Sequence, residues 1–268
     1  MHPFTKSYAD AGIAMNVQTA AAVGAALVAL AFAMSTFERW LGRHRRHELA
    51  WSVSLLMFSL ASASLAAGAS VGWNGLWFRL FYFFGAIANV PFLALGTIYL
   101  LAGNRRGDRW AAAIALFSAF AAGVIVVAPF TAALPEQTLA QGSDVFGPLP
   151  RILAATASAA GALVVIGGAL WSAWRLWRSG HGSGRFVLSN SVIAAGTLIT
   201  GASGILNSVV DQQTAFAVTL LIGITVIFAG FLVATSAPRP VAPLSPELAA
   251  APAGATSPST RAAATAPR

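Results

Sequence analysis

Seven long apolar segments constrain the fold of this 268-residue chain more than any other feature. Each is long enough to cross about 30 Å of hydrocarbon at a rise of about 1.5 Å per residue. Lipid offers no water to open backbone groups, so segments of this length are expected to be helices. The sequence therefore predicts an all-α polytopic membrane helix bundle with seven transmembrane helices, near residues 17–36, 50–71, 77–101, 110–130, 151–173, 186–208 and 214–236.

The composition indicates a membrane protein and excludes several kinds of functional site. The chain is 57% hydrophobic and only 9% charged, whereas soluble domains carry about 25% charged residues. It contains no cysteine, which excludes disulfides, thiolate metal sites, iron–sulfur clusters and a cysteine nucleophile.

The basic residues predict an orientation. Thirteen of the sixteen follow spans 1, 3, 5 and 7, whereas Lys6, Arg79 and Arg151 lie on the other side. The positive-inside rule then places the N-terminus outside and the C-terminus in the cytoplasm. Arginine supplies nearly all of this charge, which indicates a high-GC bacterial genome and a bacterial cytoplasmic (inner) membrane. The charge is explained by topology and by contact with anionic lipid, so no nucleic-acid partner is expected.

The loops between the spans are short except at residues 131–150. We expect residues 1–16 to be an outer N-terminal tail and 17–236 the seven-helix domain, with an uncleaved first helix. Residues 237–268 contain seven prolines among Ala, Ser and Thr and are expected to be a disordered cytoplasmic tail. The outer loop at 131–150 could cover a pocket as a lid, but a passive connector is the favoured interpretation.

Residues that carry common membrane chemistry are missing from the spans. A retinal Schiff base needs a lysine in the last helix, and Lys6 is the one lysine. Every histidine lies in a tail or loop, which argues against haem, and arginines around His44 and His47 would repel a metal. We therefore expect no catalytic residue, no cofactor and no metal site, and the chain is not expected to be an enzyme.

Polar residues inside two spans form stripes, and polar side chains in a membrane tend to face the bundle interior. At about 100° per residue, the polar positions of span 6 share one face, and span 3 has a similar face beside Pro91, which should kink its helix. These side chains either tie helices together, which is the favoured interpretation, or line an outward-facing polar cavity with an Arg79–Asp211 pair at its mouth. The candidate cavity residues are Arg79, Tyr82, Asn89, Asn190, Thr197, Thr200, Asn207 and Asp211.

Four motifs between Glu48 and Gly103 carry a family resemblance. They are Glu48-Leu49-Ala50-Trp51, Trp77-Phe78-Arg79-Leu80-Phe81-Tyr82, Asn89-Val90-Pro91 and Gly96-Thr97-Ile98-Tyr99-Leu100-Leu101. In these motifs the chain resembles uncharacterised seven-helix integral membrane proteins of high-GC bacteria. More distantly it resembles the seven-helix membrane sensor halves of bacterial histidine kinases, although the kinase half is missing. The first resemblance implies no known activity, and the second implies sensing.

The leading functional hypothesis is a non-enzymatic, sensor-like or ligand-binding membrane protein that acts through a separate protein partner. Two alternatives stay open: a facilitator or transporter for a small solute, and a structural subunit of a membrane complex. No mid-membrane carboxylate is available for proton coupling, which weighs against an ion-driven transporter.

Overall fold

The computed structural model describes residues 3–134, 141–179 and 213–235, with single positions 192, 195, 196 and 199. This part of the chain is helical apart from short turns and one isolated antiparallel bridge, which pairs Phe130 with Phe146. The helices are α1 (Pro3–Arg43), α2 (Arg46–Val71), α3 (Gly75–Phe81), the π-helix π1 (Tyr82–Ala88), α4 (Asn89–Ala102), α5 (Asn104–Val127), α6 (Gly142–Val145), α7 (Pro148–Ser179) and α8 (Gln213–Thr235).

Six helical segments of the described chain are long and apolar enough to cross a membrane. They are Val17–Arg43, Arg46–Val71, Gly75–Ala102, Asn104–Val127, Pro148–Ser172 and Thr214–Leu232. The prediction of an all-helical, multi-pass membrane protein that contacts lipid is therefore confirmed. The predicted span at 186–208 falls outside the described residues except at the four single positions. The chain divides into two units, Met1–Thr235 and Ser236–Arg268, and the predicted tail at 237–268 lies wholly outside the description.

Several helices extend beyond their apolar segments, so the turns between them are shorter than expected. Only His44 and Arg45 separate α1 from α2, and His44 adopts a φ of 51°, which is uncommon for a residue other than glycine. Gly103 alone separates α4 from α5, with a φ of 82° that glycine adopts without strain. The arginines expected in loops at these places thus lie mostly on helix ends. At the other terminus, α1 already begins at Pro3, within the predicted outer tail.

Helix α2 lies between α1 and the α3–π1–α4 segment, and its serines make much of that contact. Ser52 donates to the Ala33 carbonyl at 2.9 Å and Ser59 to the Ala26 carbonyl at 2.8 Å, both on α1. Ser64 instead bonds back to its own helix, as serine commonly does. Ser52 and Ser59 therefore tie α2 to α1 through the backbone of α1.

The remaining helices surround this centre. Helix α8 packs on α1, while α5 and α7 pack on α4. Most of α5 and much of α7 stays uncovered in the described bundle, with large apolar side chains facing outward. On a membrane protein these faces are suited to lipid. The most exposed of them belong to Leu116, Val126, Val127, Leu163 and Leu170.

The bundle has two chemically different ends. The arginine-rich end contains the C-terminal turns of α1, α4 and α7 and the N-terminal turns of α2 and α5. The aromatic end contains the C-terminal turns of α2 and α5, helices α3 and α6, and the start of α7. Phe216 of α8 contacts Phe81 at the aromatic end, and Phe231 lies under Arg39 at the arginine-rich end, so α8 runs parallel to α1.

Candidate functional site

A cluster of aromatic rings closes the aromatic end of the bundle. Phe78 of α3 lies at its centre, with the ring of Phe146 at 5.5 Å and that of Tyr82 at 6.0 Å between centroids. Phe78 and Phe146 are each 1% exposed. Burial of such large rings stabilises the fold, and their stacked, tilted and edge-on arrangements are favourable. The aromatic cluster consists of Trp73, Phe78, Phe81, Tyr82, Phe130 and Phe146.

Phe146 reaches this cluster from the segment between α5 and α7. Residues 141–147, here called the plug segment, turn inward so that Val145 and Phe146 are buried. The Thr131 amide donates to the Val145 carbonyl at 2.8 Å, and the Phe146 ring stacks on Phe130 at 5.4 Å. Within the described part of the predicted 131–150 loop, Val145 and Phe146 therefore pack into the bundle.

Tyr82 supports the plug segment directly. Its ring meets the Phe146 ring edge-on at 5.0 Å. Gly142 lies so close that a Cβ on it would come within 2.3 Å of the Tyr82 ring. Tyr82 is also the first residue of π1, so the plug segment rests on the start of the π-helix.

A π-helix, Tyr82–Ala88, lies just before Pro91, where the sequence predicted a kink. The Asn89 amide donates to the Phe84 carbonyl, five residues back, which is the bond that defines a π-helical turn. Proline has no N–H and its ring crowds the carbonyl four residues earlier, and a wider preceding turn relieves that crowding. π-Helical turns inside α-helices are frequent at functional sites. Sequence reasoning located the irregularity but not its form.

Arg79 bonds to the end of α5. Its Nε donates to the Ile125 carbonyl at 2.9 Å and its Nη2 to the Ala128 carbonyl at 2.8 Å. The guanidinium also lies 4.2 Å from the centroid of the Phe130 ring. A cation at a helix C-terminus satisfies open carbonyls and interacts favourably with the helix dipole. The expected partner Asp211 lies outside the described residues.

Asn89 contacts a different part of the bundle from Arg79 and Tyr82, the other two described candidates. Ser54 of α2 donates to the Asn89 side-chain oxygen at 2.6 Å and lies 3.0 Å from its backbone carbonyl. Arg79 and Tyr82 are neighbours at the aromatic end, whereas Asn89 lies about two turns further along the segment. Each of the three described candidates thus contacts other parts of the bundle. The remaining five, Asn190, Thr197, Thr200, Asn207 and Asp211, are outside the described residues.

The arginine-rich end holds a buried carboxylate that sequence reasoning did not single out. Glu48, in the first turn of α2, is 1% exposed and accepts from Arg39 of α1 at 3.1 Å. Its other oxygen, Oε2, is buried without a hydrogen-bond partner among the described residues. Arg39 also lies 4.9 Å from the centroid of the Phe231 ring. These contacts link α1, α2 and α8. An acidic residue in the first turn of a helix, beside a run of arginines, was the available signal.

A second ion pair at the same end links α2 to two further helices, α4 and α5. Arg46 of α2 pairs with Asp108 of α5, and the Tyr99 hydroxyl of α4 donates to the same carboxylate at 2.9 Å. Gly107 allows this approach, because a Cβ there would come within 2.1 Å of the Tyr99 ring. The ends of α2, α4 and α5 are therefore joined through one carboxylate. In the described part of the chain, no three metal-ligating side chains gather into a group.

No family model, curated protein or solved structure matches this chain.

Proposed function

We propose that the chain is a seven-helix protein of a bacterial cytoplasmic membrane, with its N-terminus outside and its C-terminus in the cytoplasm. The described helices support a further crossing between α7 and α8. Gly161 and Gly168 of α7 face Val90 and Thr97 of α4, so α7 runs toward the arginine-rich end. Helix α8 begins at the aromatic end. A Cβ on Gly196 would come within 2.9 Å of the Gly223 carbonyl of α8, which is consistent with a span packed beside α8.

Single cysteines test this topology cleanly, because the chain has none of its own. A membrane-impermeant maleimide is expected to label Ser143→Cys in intact cells, and Arg106→Cys only after permeabilisation. Ser7→Cys is expected to behave like Ser143→Cys, and Ser257→Cys like Arg106→Cys. Labelling of both Ser7→Cys and Ser257→Cys from the same side would require an even number of spans and contradict the proposal.

The function that the geometry supports best is that of a non-enzymatic, sensor-like protein that passes a signal to a separate partner. One observation carries this proposal: the plug segment packs directly on π1, the irregular part of a helix that continues to the arginine-rich end. The resemblance of Glu48–Gly103 to the sensor halves of histidine kinases points the same way. A ligand that displaces the plug segment would act on π1 from outside the membrane.

The π-helix gives such a displacement a mechanical consequence. Conversion of one π-helical turn to α-helix changes the register by one residue, which is about 100° of rotation and about 1.5 Å of translation. Helix α4 would transmit that change to Tyr99, which bonds to Asp108 at the arginine-rich end. Packed helices have discrete arrangements, so a small change at one end can select between two states. A partner in the cytoplasm would read the arrangement of these helix ends.

Two glycines of the plug segment provide a matched test. Gly142→Ala is expected to push the plug segment off Tyr82, whereas Gly147→Ala has nothing within 4 Å of its new methyl group. An environment-sensitive fluorophore on Leu100→Cys, an exposed position near the end of α4, is expected to change its emission in Gly142→Ala and to keep it in Gly147→Ala. An unchanged emission in folded Gly142→Ala protein would contradict coupling.

Phe146→Ala separates the sensor from a facilitator. It removes the buried ring that fills the aromatic cluster, and loss of a buried phenylalanine side chain costs about 3–5 kcal/mol, so unfolding is measured alongside. In proteoliposomes the folded variant is expected to take up small solutes no faster than empty vesicles. Uptake that appears only when Phe146 is removed would replace the sensor proposal by a solute pathway closed by the plug segment.

A further inference from the structure

The first two turns of α5 carry an exposed positive charge without a matching acid. Arg105, Arg106 and Arg109 are all exposed, and none forms an ion pair with another described residue. Asp108, the acid within these turns, pairs with Arg46 and Tyr99. The three arginines therefore lie next to one another without internal compensation.

The three arginines lie at the N-terminus of α5, where a positive charge is electrostatically unfavourable. A helix N-terminus carries a partial positive charge, so cations in its first turn are unfavourable and an anion there is stabilising. The turn is also held firmly, because Gly103 forms the whole connection to α4 and the Tyr99 ring packs on Gly107. The arginines project from a rigid platform whose electrostatics favour a bound anion.

Exposed apolar side chains lie near the same charge along the chain. Trp110 is 55% exposed, and Leu100 and Leu101, just across the Gly103 turn, are 51% and 42% exposed. Arg106 and Trp110 are four residues apart and share one face of α5, and Arg105 and Arg109 share the neighbouring face. Tryptophan at such a position is typical of the membrane–water interface. A soluble anion would leave these apolar groups uncovered, whereas a phospholipid would contact them with its acyl chains.

We propose that this turn, defined by Arg105, Arg106, Arg109 and Trp110, is a binding site for an anionic phospholipid of the surrounding leaflet. The arginines bind the phosphate, and Trp110 with Leu100 and Leu101 contacts the glycerol and the upper acyl chain. Each arginine near an anionic headgroup strengthens binding about fivefold. The site is separate from the plug segment, and it stands whether or not the protein is a sensor.

Native mass spectrometry of the full-length protein, loaded from mixed micelles with equal phosphatidylglycerol and phosphatidylcholine, tests the site. The wild-type protein is expected to retain phosphatidylglycerol preferentially. Arg105→Gln/Arg106→Gln is expected to weaken that retention about 25-fold. The charge-matched control Arg43→Gln/Arg45→Gln, at exposed arginines of the neighbouring turn, is expected to weaken it less than about fivefold. Equal losses in the two double variants would show general charge attraction and overturn the site.

Two further arms identify the ligand. Trp110→Ala keeps the charge but removes the apolar contact, so it is expected to reduce retention of phosphatidylglycerol while leaving the folded protein intact. Inorganic phosphate, added in excess, is expected not to displace the lipid. Displacement by phosphate would show that the turn binds a free anion, and full retention in Trp110→Ala would show that the apolar contact is not part of the site; either result would overturn the site as proposed.

Discussion

Arg39→Ala is expected to destabilise the folded protein by about 3 kcal/mol, the largest effect of any single charge removal in the described bundle. The substitution leaves Glu48 charged and buried with no partner, and breaking a buried ion pair from one side costs about 3–5 kcal/mol. Arg39 keeps 29% of its side chain exposed, which favours the lower end of that range. The substitution would also remove the contact between the guanidinium and the Phe231 ring. Unfolding in mixed micelles, followed by tryptophan fluorescence, measures the loss.

Arg43→Ala is the control, because Arg43 lies one turn further along α1 and is exposed. Its expected effect is below about 1 kcal/mol. Glu48→Gln should rescue part of the loss in the Arg39→Ala background, since a neutral amide is less costly to bury than an unpaired carboxylate. Equal stability of Arg39→Ala and Arg43→Ala would mean that water reaches Glu48 and that the pair contributes nothing.

Gly161→Ala is expected to destabilise the contact between α4 and α7 by about 1–3 kcal/mol. A Cβ on Gly161 would lie 2.7 Å from Val90 Cγ1 and 3.0 Å from the Val90 carbonyl carbon and oxygen. A side chain can rotate away from a methyl group, but a backbone carbonyl in the middle of a helix cannot, so the two helices must separate. This contact lies beside Ser158, which donates to the Ala86 carbonyl of π1 at 2.8 Å.

The same helix supplies the comparison. Nothing lies within 4 Å of a Cβ on Gly167, so Gly167→Ala should be neutral or gain up to about 1 kcal/mol from the better helix propensity of alanine. Thermal unfolding of the two variants in the same detergent gives the difference directly. A Gly161→Ala protein as stable as Gly167→Ala would show that α4 and α7 do not pack as closely as described.

The helical membrane fold could be predicted because hydropathy reports the presence of a span. It reports the ends of a helix poorly, since polar residues can continue a helix beyond the apolar region. Arg39, Arg43 and Arg46 were expected in a loop, yet all three belong to helices. Burial of Glu48 depends on the short turn at His44, which brings α2 against α1. No local pattern in the sequence reveals that contact.

Contacts between residues far apart in the sequence could not be predicted either. The sequence predicted that Arg79, Tyr82 and Asn89 face the bundle interior, and its cavity alternative offered Asp211, which lies outside the described residues, as a partner for Arg79. In the described bundle Arg79 bonds to the backbone carbonyls of Ile125 and Ala128. Every residue has a backbone carbonyl, so the sequence alone cannot show which ones act as acceptors. The inward turn at Val145 and Phe146 was missed because proline and polar residues around it resemble an ordinary exposed loop.

The serines of α2 have a consequence for how this protein can change by substitution. Ser52 and Ser59 bond to carbonyls of Ala33 and Ala26, so the acceptor survives any replacement on α1 that is small enough to keep the helices together. Glycine, alanine or serine at positions 26 and 33 should be interchangeable, whereas positions 52 and 59 should accept only another hydroxyl. Helix α1 should therefore tolerate substitution at this contact, whereas α2 should not.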